Sequence, residues 1–213
     1  MNNLLPKQQY YENVANTIIQ NLNKRQIEGY YCPDRKSALQ KALELIPKGS
    51  SIGWGGSMTL AETGVIDSIQ NGDYNIINRE TTSVEEERNM YGEICCSDFF
   101  LMSTNAITLD GELINIDGRG NRVSFLCFGP QNVLILIGMN KVVSDIESGF
   151  QRVRNIAAPP NAIRLNRKTP CASIGKCTDC FSPDCMCSQF VVTRRSGVPN
   201  RIKVILIGEE LGY

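Results

Sequence analysis

Apolar residues recur three or four positions apart over residues 7–28, at Tyr11, Val14, Ile18 and Leu22, with an extension to Ile27. That spacing predicts an amphipathic helix. Asp34 is placed to cap a second helix, which carries Leu39, Ala42, Leu43 and Ile46 on one face and ends at Pro47-Lys48-Gly49. The pattern then changes to short apolar runs of strand character at 51–54, 74–77, 99–103, 133–137, 190–193 and 203–207. Helical patterns at 59–70, 84–94 and 143–157 separate most of them. Strands alternating with helices predict a three-layer α/β fold, a mostly parallel sheet covered on both faces. Residues 106–108 and 112–116 flank Leu109-Asp110-Gly111, and Asp-Gly is a hairpin signal, so one antiparallel hairpin is expected within the α/β core. Neither a repeat nor a low-complexity tract occurs. The single composition shift is at Pro159-Pro160, after which the chain is basic and cysteine-rich before returning to a strand. Residues 1–213 are thus expected to form one domain, with a cysteine-rich excursion at 169–188.

Charge and composition narrow the function. Twenty-two basic and 22 acidic residues leave no net charge, which speaks against nucleic-acid binding. Basic residues do gather around the cysteines, at Arg164, Arg167, Lys168, Lys176, Arg194 and Arg195. The first residues show no signal-peptide core, and the longest apolar runs fall far short of the ~20 residues of a spanning helix. A cytoplasmic protein that does not enter membranes is expected. The chain has no histidine. Proton transfer must therefore use carboxylates, lysine, tyrosine, cysteine or water, and a metal site must use sulfur or carboxylate ligands.

Ligands in such sheets bind beyond the C-terminal ends of the strands, where three loops fall. The first contains Gly53, Gly55, Gly56, Ser57 and Thr59, between a strand and a helix. Its backbone N–H groups and hydroxyls suit a phosphate or carboxylate, although a tight turn with a helix cap has the same composition. Glu62 lies one turn later. The second loop brings Asn105, Asp110, Glu112, Asn115, Asp117, Gly118, Gly120, Asn121 and Arg122 into one stretch. Asp110-Gly111 reads equally well as a plain turn. The later glycines alternate with charged groups after an apolar strand, as around a bound ligand. The third loop carries Asn140 and Lys141, and a strand-end lysine can meet an anion or simply be solvated.

Five of the nine cysteines, Cys171, Cys177, Cys180, Cys185 and Cys187, lie in seventeen residues spaced C-x5-C-x2-C-x4-C-x-C. Four thiolates would hold zinc or an iron–sulfur cluster, which leaves one cysteine spare. A dithiol redox pair at Cys177 and Cys180 is the rival, without the strand-to-helix setting such pairs use. Cys32, Cys95, Cys96 and Cys127 lie in or beside apolar runs and are expected to be buried packing residues.

Several motifs together resemble the lactate-utilisation (LUD) domain family. They are residues 53–64 (GWGGSMTLAETG), 103–122 (STNAITLDGELINIDGRGNR), 128–133 (FGPQNV), 138–141 (GMNK), 152–159 (RVRNIAAP), 169–187 (TPCASIGKCTDCFSPDCMC) and 208–213 (GEELGY). The cysteine segment is similar to that of the stand-alone subgroup. The resemblance implies metal ligands at Cys171, Cys177, Cys180 and Cys187, with Cys185 where a basic residue is usual. It implies a fold like that of glucosamine-6-phosphate deaminase, ribose-5-phosphate isomerase and the CoA transferases. By that analogy Gly55–Thr59 would hold an anion, and Asp110, Glu112 and Asp117 would supply acid–base chemistry; with no histidine available, Glu62 beside the first loop is a further candidate base. Three functions follow as expectations. The first is an accessory role in oxidation of L-lactate to pyruvate, binding a small anion or an iron–sulfur partner protein. The second is an autonomous enzyme on a phosphorylated sugar, CoA ester or nucleotide. The third is a metal-stapled interaction module. Self-association is compatible with each.

Overall fold

The computed structural model describes residues 5–77 and 83–213. Its first half runs α1 (Pro6–Lys24), β1 (Glu28–Cys32), α2 (Arg35–Leu45), β2 (Ser51–Trp54), α3 (Met58–Glu62), α4 (Val65–Gln70), β3 (Asn75–Ile76), α5 (Val84–Cys95) and β4 (Phe99–Met102). The second half runs β5 (Ala106–Thr108), β6 (Leu113–Asp117), α6 (Asn121–Cys127), β7 (Asn132–Gly138), β8 (Val142–Val143), α7 (Ile146–Arg152), a π-helical turn (Val153–Ala157), α8 (Ala158–Arg164), α9 (Pro170–Ile174), β9 (Gln189–Thr193) and β10 (Ile202–Ile207).

Six strands form a wholly parallel sheet in the order β1-β10-β7-β4-β2-β3. Successive strand side chains point to opposite faces, and here both faces are buried. Phe100, Met102, Val133, Ile135, Ile137, Val204 and Leu206 pack with Ile18 and Leu22 of α1 and Ile94 of α5. Phe99, Leu101, Leu134, Leu136, Ile205 and Ile207 pack on the other face with Ala38 and Ala42 of α2, Leu60 of α3 and Ile69 of α4. This double burial is why the strands read as continuous apolar runs. Each such side chain contributes about 1.5–3 kcal/mol by leaving water. The expected α/β layering is present.

The expected hairpin is present with Ala106 opposite Ile114 and Ile107 opposite Leu113, but it lies outside the parallel sheet. It belongs to a second sheet, ordered β8-β5-β6-β9. Residues 190–193, read with the parallel strands, instead pair antiparallel with β6 as part of β9. All five residues of β6 are buried, so it requires a ladder partner on each edge. Ala106, Ile114 and Ile116 close a third core against Val153 and Ala157.

Helix boundaries differ where the backbone turns left-handed. The first helix stops at Lys24, because Gln26 has φ +59° and the Ile27 N–H returns to the Leu22 carbonyl. The next residues form the edge strand β1. Gly64, at φ +71°, divides the 59–70 helix into α3 and α4. The 143–157 helix begins only at Ile146, where the Asp145 carboxylate accepts from the Ser148 N–H. It widens into the π turn and runs on as α8, with Pro159 and Pro160 in the first turn, where the missing N–H groups cost little. Helix α6 falls where a glycine-rich loop was read. The Arg201 guanidinium holds its end by donating to the carbonyls of Phe125, Leu126 and Pro130. Among the described residues no helix is long and apolar enough to cross a membrane.

Residues 208–213 return from β10 across the end of β7. The Met139 N–H donates to Glu209 O at 2.9 Å, and the Asn140 amide accepts from Leu211 N–H and donates to Gly212 O. The Gly212 N–H donates to Glu62 at 2.9 Å. Only a glycine at 138 permits this approach, since a Cβ there would lie 2.6 Å from Leu211 N and 3.0 Å from Glu209 O. Gly138→Ala is expected to destabilise the protein by about 1–3 kcal/mol through this overpacking, read as a lower urea midpoint.

Candidate functional site

The ends of β2 and β4, the loop between β6 and α6, and the turn at Met139–Lys141 surround a cavity of about 720 Å³. Its frame is the guanidinium of Arg122, in the first turn of α6. Nε donates to Asp117 at 3.1 Å. Nη1 donates to the Ser103 carbonyl and, at 2.6 Å, to the Asn115 side chain. Nη2 donates to the Asn105 side chain and to Ile116 O, both at 3.1 Å. All five N–H groups are therefore engaged. The other Asp117 oxygen accepts from Gly120 N–H, and Gly120 takes φ +85° to start α6. Burial pulls the Arg122 pKa down and the Asp117 charge opposes that pull. Arg122 thus acts on the cavity through its charge.

Lys141 lines the same cavity yet is 3% exposed. Its Nζ donates to Thr59 Oγ1 at 2.8 Å and to Ser103 Oγ at 3.0 Å. Both hydroxyls donate in turn to backbone carbonyls, Thr59 to Leu211 and Ser103 to Thr104. Among the described residues no carboxylate forms an ion pair with this amine. Burial, then the nearby Arg152 and Arg122 charges, lower its pKa from 10.5 to about 7, with Glu62 acting the other way. Arg152 donates to Asn140 O and Asn105 O, and burial brings it to about 10.

Five basic and three acidic side chains line the cavity. Each acid has an arginine: Glu87 with Arg119 at 2.7 Å, Asp117 with Arg122 at 3.1 Å, and Asp184 with Arg167 at 3.9 Å. Lys141 and Arg164 are left without a carboxylate partner among the described residues, Arg164 donating to Asn161 at 2.7 Å. The cavity therefore carries a surplus of positive charge.

Of the residues singled out in the sequence, Gly55, Gly56, Ser57, Asn105, Asp117, Gly118, Asn121, Arg122 and Lys141 line the cavity. Gly55 already spends its N–H on Leu101 O, and the Ser57 hydroxyl caps α3 by accepting from Leu60 N–H. Gly53, Thr59, Glu62, Asn115, Gly120 and Asn140 form the frame behind it. A Cβ on Gly53 would meet Ile94 at 2.8 Å, so packing accounts for that glycine. Asn115 is fully buried, and its Nδ2 has no hydrogen-bond partner. Asp110 and Glu112 lie elsewhere: Arg25, which caps the C-terminus of α1, holds the Asp110 carbonyl and pairs with the Glu112 carboxylate, fastening the hairpin to the end of α1. Sequence reasoning missed Glu87 and Tyr91, whose local pattern is that of an ordinary surface helix, while Arg119 and Met186 lie inside stretches singled out for their neighbours.

The five clustered cysteines line a second cavity of about 610 Å³ with Phe181 and Phe190. Burial pushes the Cys185 thiol up, and Cys187 is pushed up to about 12 by burial and then by its cysteine neighbours. Among the described residues no three cysteine or acidic side chains converge as a metal-ligand group. Cys185 and Met186 line both cavities, and the Met186 Cα lies 3.5 Å from where a Gly118 Cβ would be. Cys32 is buried as expected, but Cys95 is half-buried, and Cys96 and Cys127 are exposed at helix ends.

Arg122→Gln is expected to cost about 3–5 kcal/mol in urea denaturation, because it leaves Asp117 buried and unpaired. Arg122→Lys should recover only part of this, since three donors cannot serve five acceptors.

Comparison with solved structures gives a likeness to a DUF162 family protein from Deinococcus radiodurans, at a TM-score of 0.53 and 12% identity, over 92% of this chain and 98% of that one. At that identity the likeness is one of fold. Ribose 5 phosphate isomerase A from Neisseria gonorrhoeae aligns at a TM-score of 0.35 and 14% identity, over 53% of this chain and 54% of that one. eIF2B delta from Chaetomium thermophilum aligns at 0.38 and 13%, over 67% and 55%. Scores this low carry no argument about fold or activity. No protein of curated function matches the chain. The sequence model of the LUD domain matches residues 15–207, and across that span the chain belongs to the LUD domain family.

Proposed function

We propose that the protein binds a small anionic metabolite in the larger cavity, as an accessory component of L-lactate utilisation, the process after which its family is named. The observation that carries this reading is Lys141, a buried cationic side chain left without a carboxylate in a cavity that the exposed Arg164 and the Gly56–Ser57 turn also line. A buried positive charge without a partner is costly, and an anion offsets that cost. The process itself is tested by deletion: growth on L-lactate should fail, and normal growth would overturn the assignment.

A bound anion favours the charged form of Lys141. Its pKa is depressed to about 7, so the ammonium is present below that pH and lost above it. Calorimetric affinity for L-lactate, pyruvate or inorganic phosphate should therefore weaken as pH rises through about 7. Lys141→Met should abolish this pH dependence, and absence of binding by every anion would refute the reading.

The volume of about 720 Å³ exceeds what a three-carbon acid fills, which favours a second reading, an enzyme acting on a phosphorylated sugar, CoA ester or nucleotide. Asp117 is tied to Arg122, so Lys141 is the better-placed acid–base group in that case. Thermal-shift measurements with such compounds discriminate, since only this reading expects the larger anions to stabilise most.

For the cysteine segment we propose a thiolate-held zinc ion or iron–sulfur cluster at Cys171, Cys177, Cys180 and Cys187. The donor chemistry suits either, and all four thiols face one cavity, although they must draw together to reach one centre. Docking of an iron–sulfur partner protein at the exposed Phe181 is the corresponding interaction. Protein purified without oxygen should contain stoichiometric metal, and Cys177→Ser should lose it. A metal-free preparation would remove both ideas.

A further inference from the structure

We propose that Lys141 is a nucleophile that forms an imine with a carbonyl compound bearing an anionic group, such as a 2-oxo acid or a phosphorylated aldose, in the larger cavity. The inference rests on the anion-binding reading above and adds a covalent step to it.

The hydrogen-bond directions around the amine carry the argument. Thr59 Oγ1 and Ser103 Oγ already donate their protons to the carbonyls of Leu211 and Thr104. Each can therefore only accept from Lys141, at 2.8 and 3.0 Å. An ammonium has three N–H donors, and among the described residues Lys141 makes no third hydrogen bond. A neutral amine has two N–H donors and one lone pair. Two fixed acceptors use both donors and leave the lone pair as the remaining direction. A purely structural buried ammonium would have a carboxylate partner, and Lys141 has none. Arg122 and Arg152 stand close enough to depress its pKa, which keeps a reactive fraction neutral near pH 7. The side chain also lines the cavity. Neighbouring cationic groups raise the local concentration of an anionic carbonyl compound at that nitrogen.

The step balances without an oxidant or a reductant. The Nζ lone pair attacks the carbonyl carbon and forms the C–N bond, while the C–O π electrons pass to oxygen. A proton moves from nitrogen to that oxygen to give the carbinolamine. Loss of water then forms the C=N bond, and water returning to the imine reverses the sequence.

Borohydride trapping tests this directly, because hydride addition to the imine carbon leaves a stable secondary amine. The full-length protein would be incubated with pyruvate, with ribose 5-phosphate, or with L-lactate, which has no carbonyl to condense. After reduction, peptides would be mapped by mass spectrometry. A single reduced adduct on Lys141 with pyruvate or ribose 5-phosphate supports the inference, and the arm that reacts identifies the carbonyl class. Trapping should increase as pH rises through about 7, opposite to non-covalent anion binding. Thr59→Val, which removes one acceptor holding the amine, should reduce adduct yield severalfold while the lysine is retained. No adduct, or adducts spread over surface lysines, overturns the inference. If calorimetry still detects anion binding in that case, the anion reading survives. If neither binding nor adduct is found, both fail.

Discussion

The five N–H groups of Arg122 are the constraint on which the site depends. They reach the end of β4 at Ser103, the start of the hairpin at Asn105, and three successive residues of β6 at Asn115, Ile116 and Asp117. The parallel sheet and the second sheet are thereby held at one guanidinium. A planar donor fork can do this because its geometry is rigid and its charge permanent. Burying that charge is tolerable because Asp117 lies within the same network, and Asp117 in turn fixes the Gly120 turn that starts α6. A chain built on this tie cannot move the hairpin without disturbing the cavity.

A consequence is that the most conspicuous cation is not the one available for chemistry. Arg122 is saturated, and the three acids of the cavity are each matched with an arginine. Lys141 lies one residue from this network, held by two hydroxyls instead of a carboxylate. Without histidine, a buried amine brought to about 7 is a group that can change protonation near neutral pH. Segment 208–213 supports this arrangement, because Leu211 O accepts from the Thr59 hydroxyl that holds the amine.

The two cavities are neighbours. Pro183, Cys185 and Met186 line both, and the Ser188 N–H donates to Asp117 O at 3.0 Å. The cysteine-rich excursion therefore forms a wall of the anion cavity as well as a sulfur-rich cavity of its own. Its connection runs through β9, which joins β6 along five paired residues ending at Asp117. Cys185, spare when the thiols are counted as ligands, is the cysteine at that shared wall.

Much of the architecture was legible in local pattern. Strands buried on both faces appear as apolar runs, the Asp34 cap and the Asp110-Gly111 turn carry their own chemistry, and the glycine-rich stretches mark the cavity loops. These depend on interactions within a few residues. The limits of local pattern are equally physical. Strand β9 has the apolar character of a parallel-sheet strand, and only the unpaired edge of β6 decides where it goes. Glu62 and Glu112 are carboxylates in suggestive loops, but partners 150 and 87 residues away, Gly212 and Arg25, commit them to holding the frame, while Asp110 lends Arg25 only its backbone carbonyl. Lys141 looks like a solvated loop lysine until Thr59 and Ser103, distant in sequence, enclose it. The sequence by itself determined the layers, the turns and the stock of available chemical groups, because these follow from periodicity and local backbone preference. Tertiary structure alone decided which of those groups are paired, buried or left with charge to spare, because desolvation and ion pairing depend on neighbours that only the folded chain brings together.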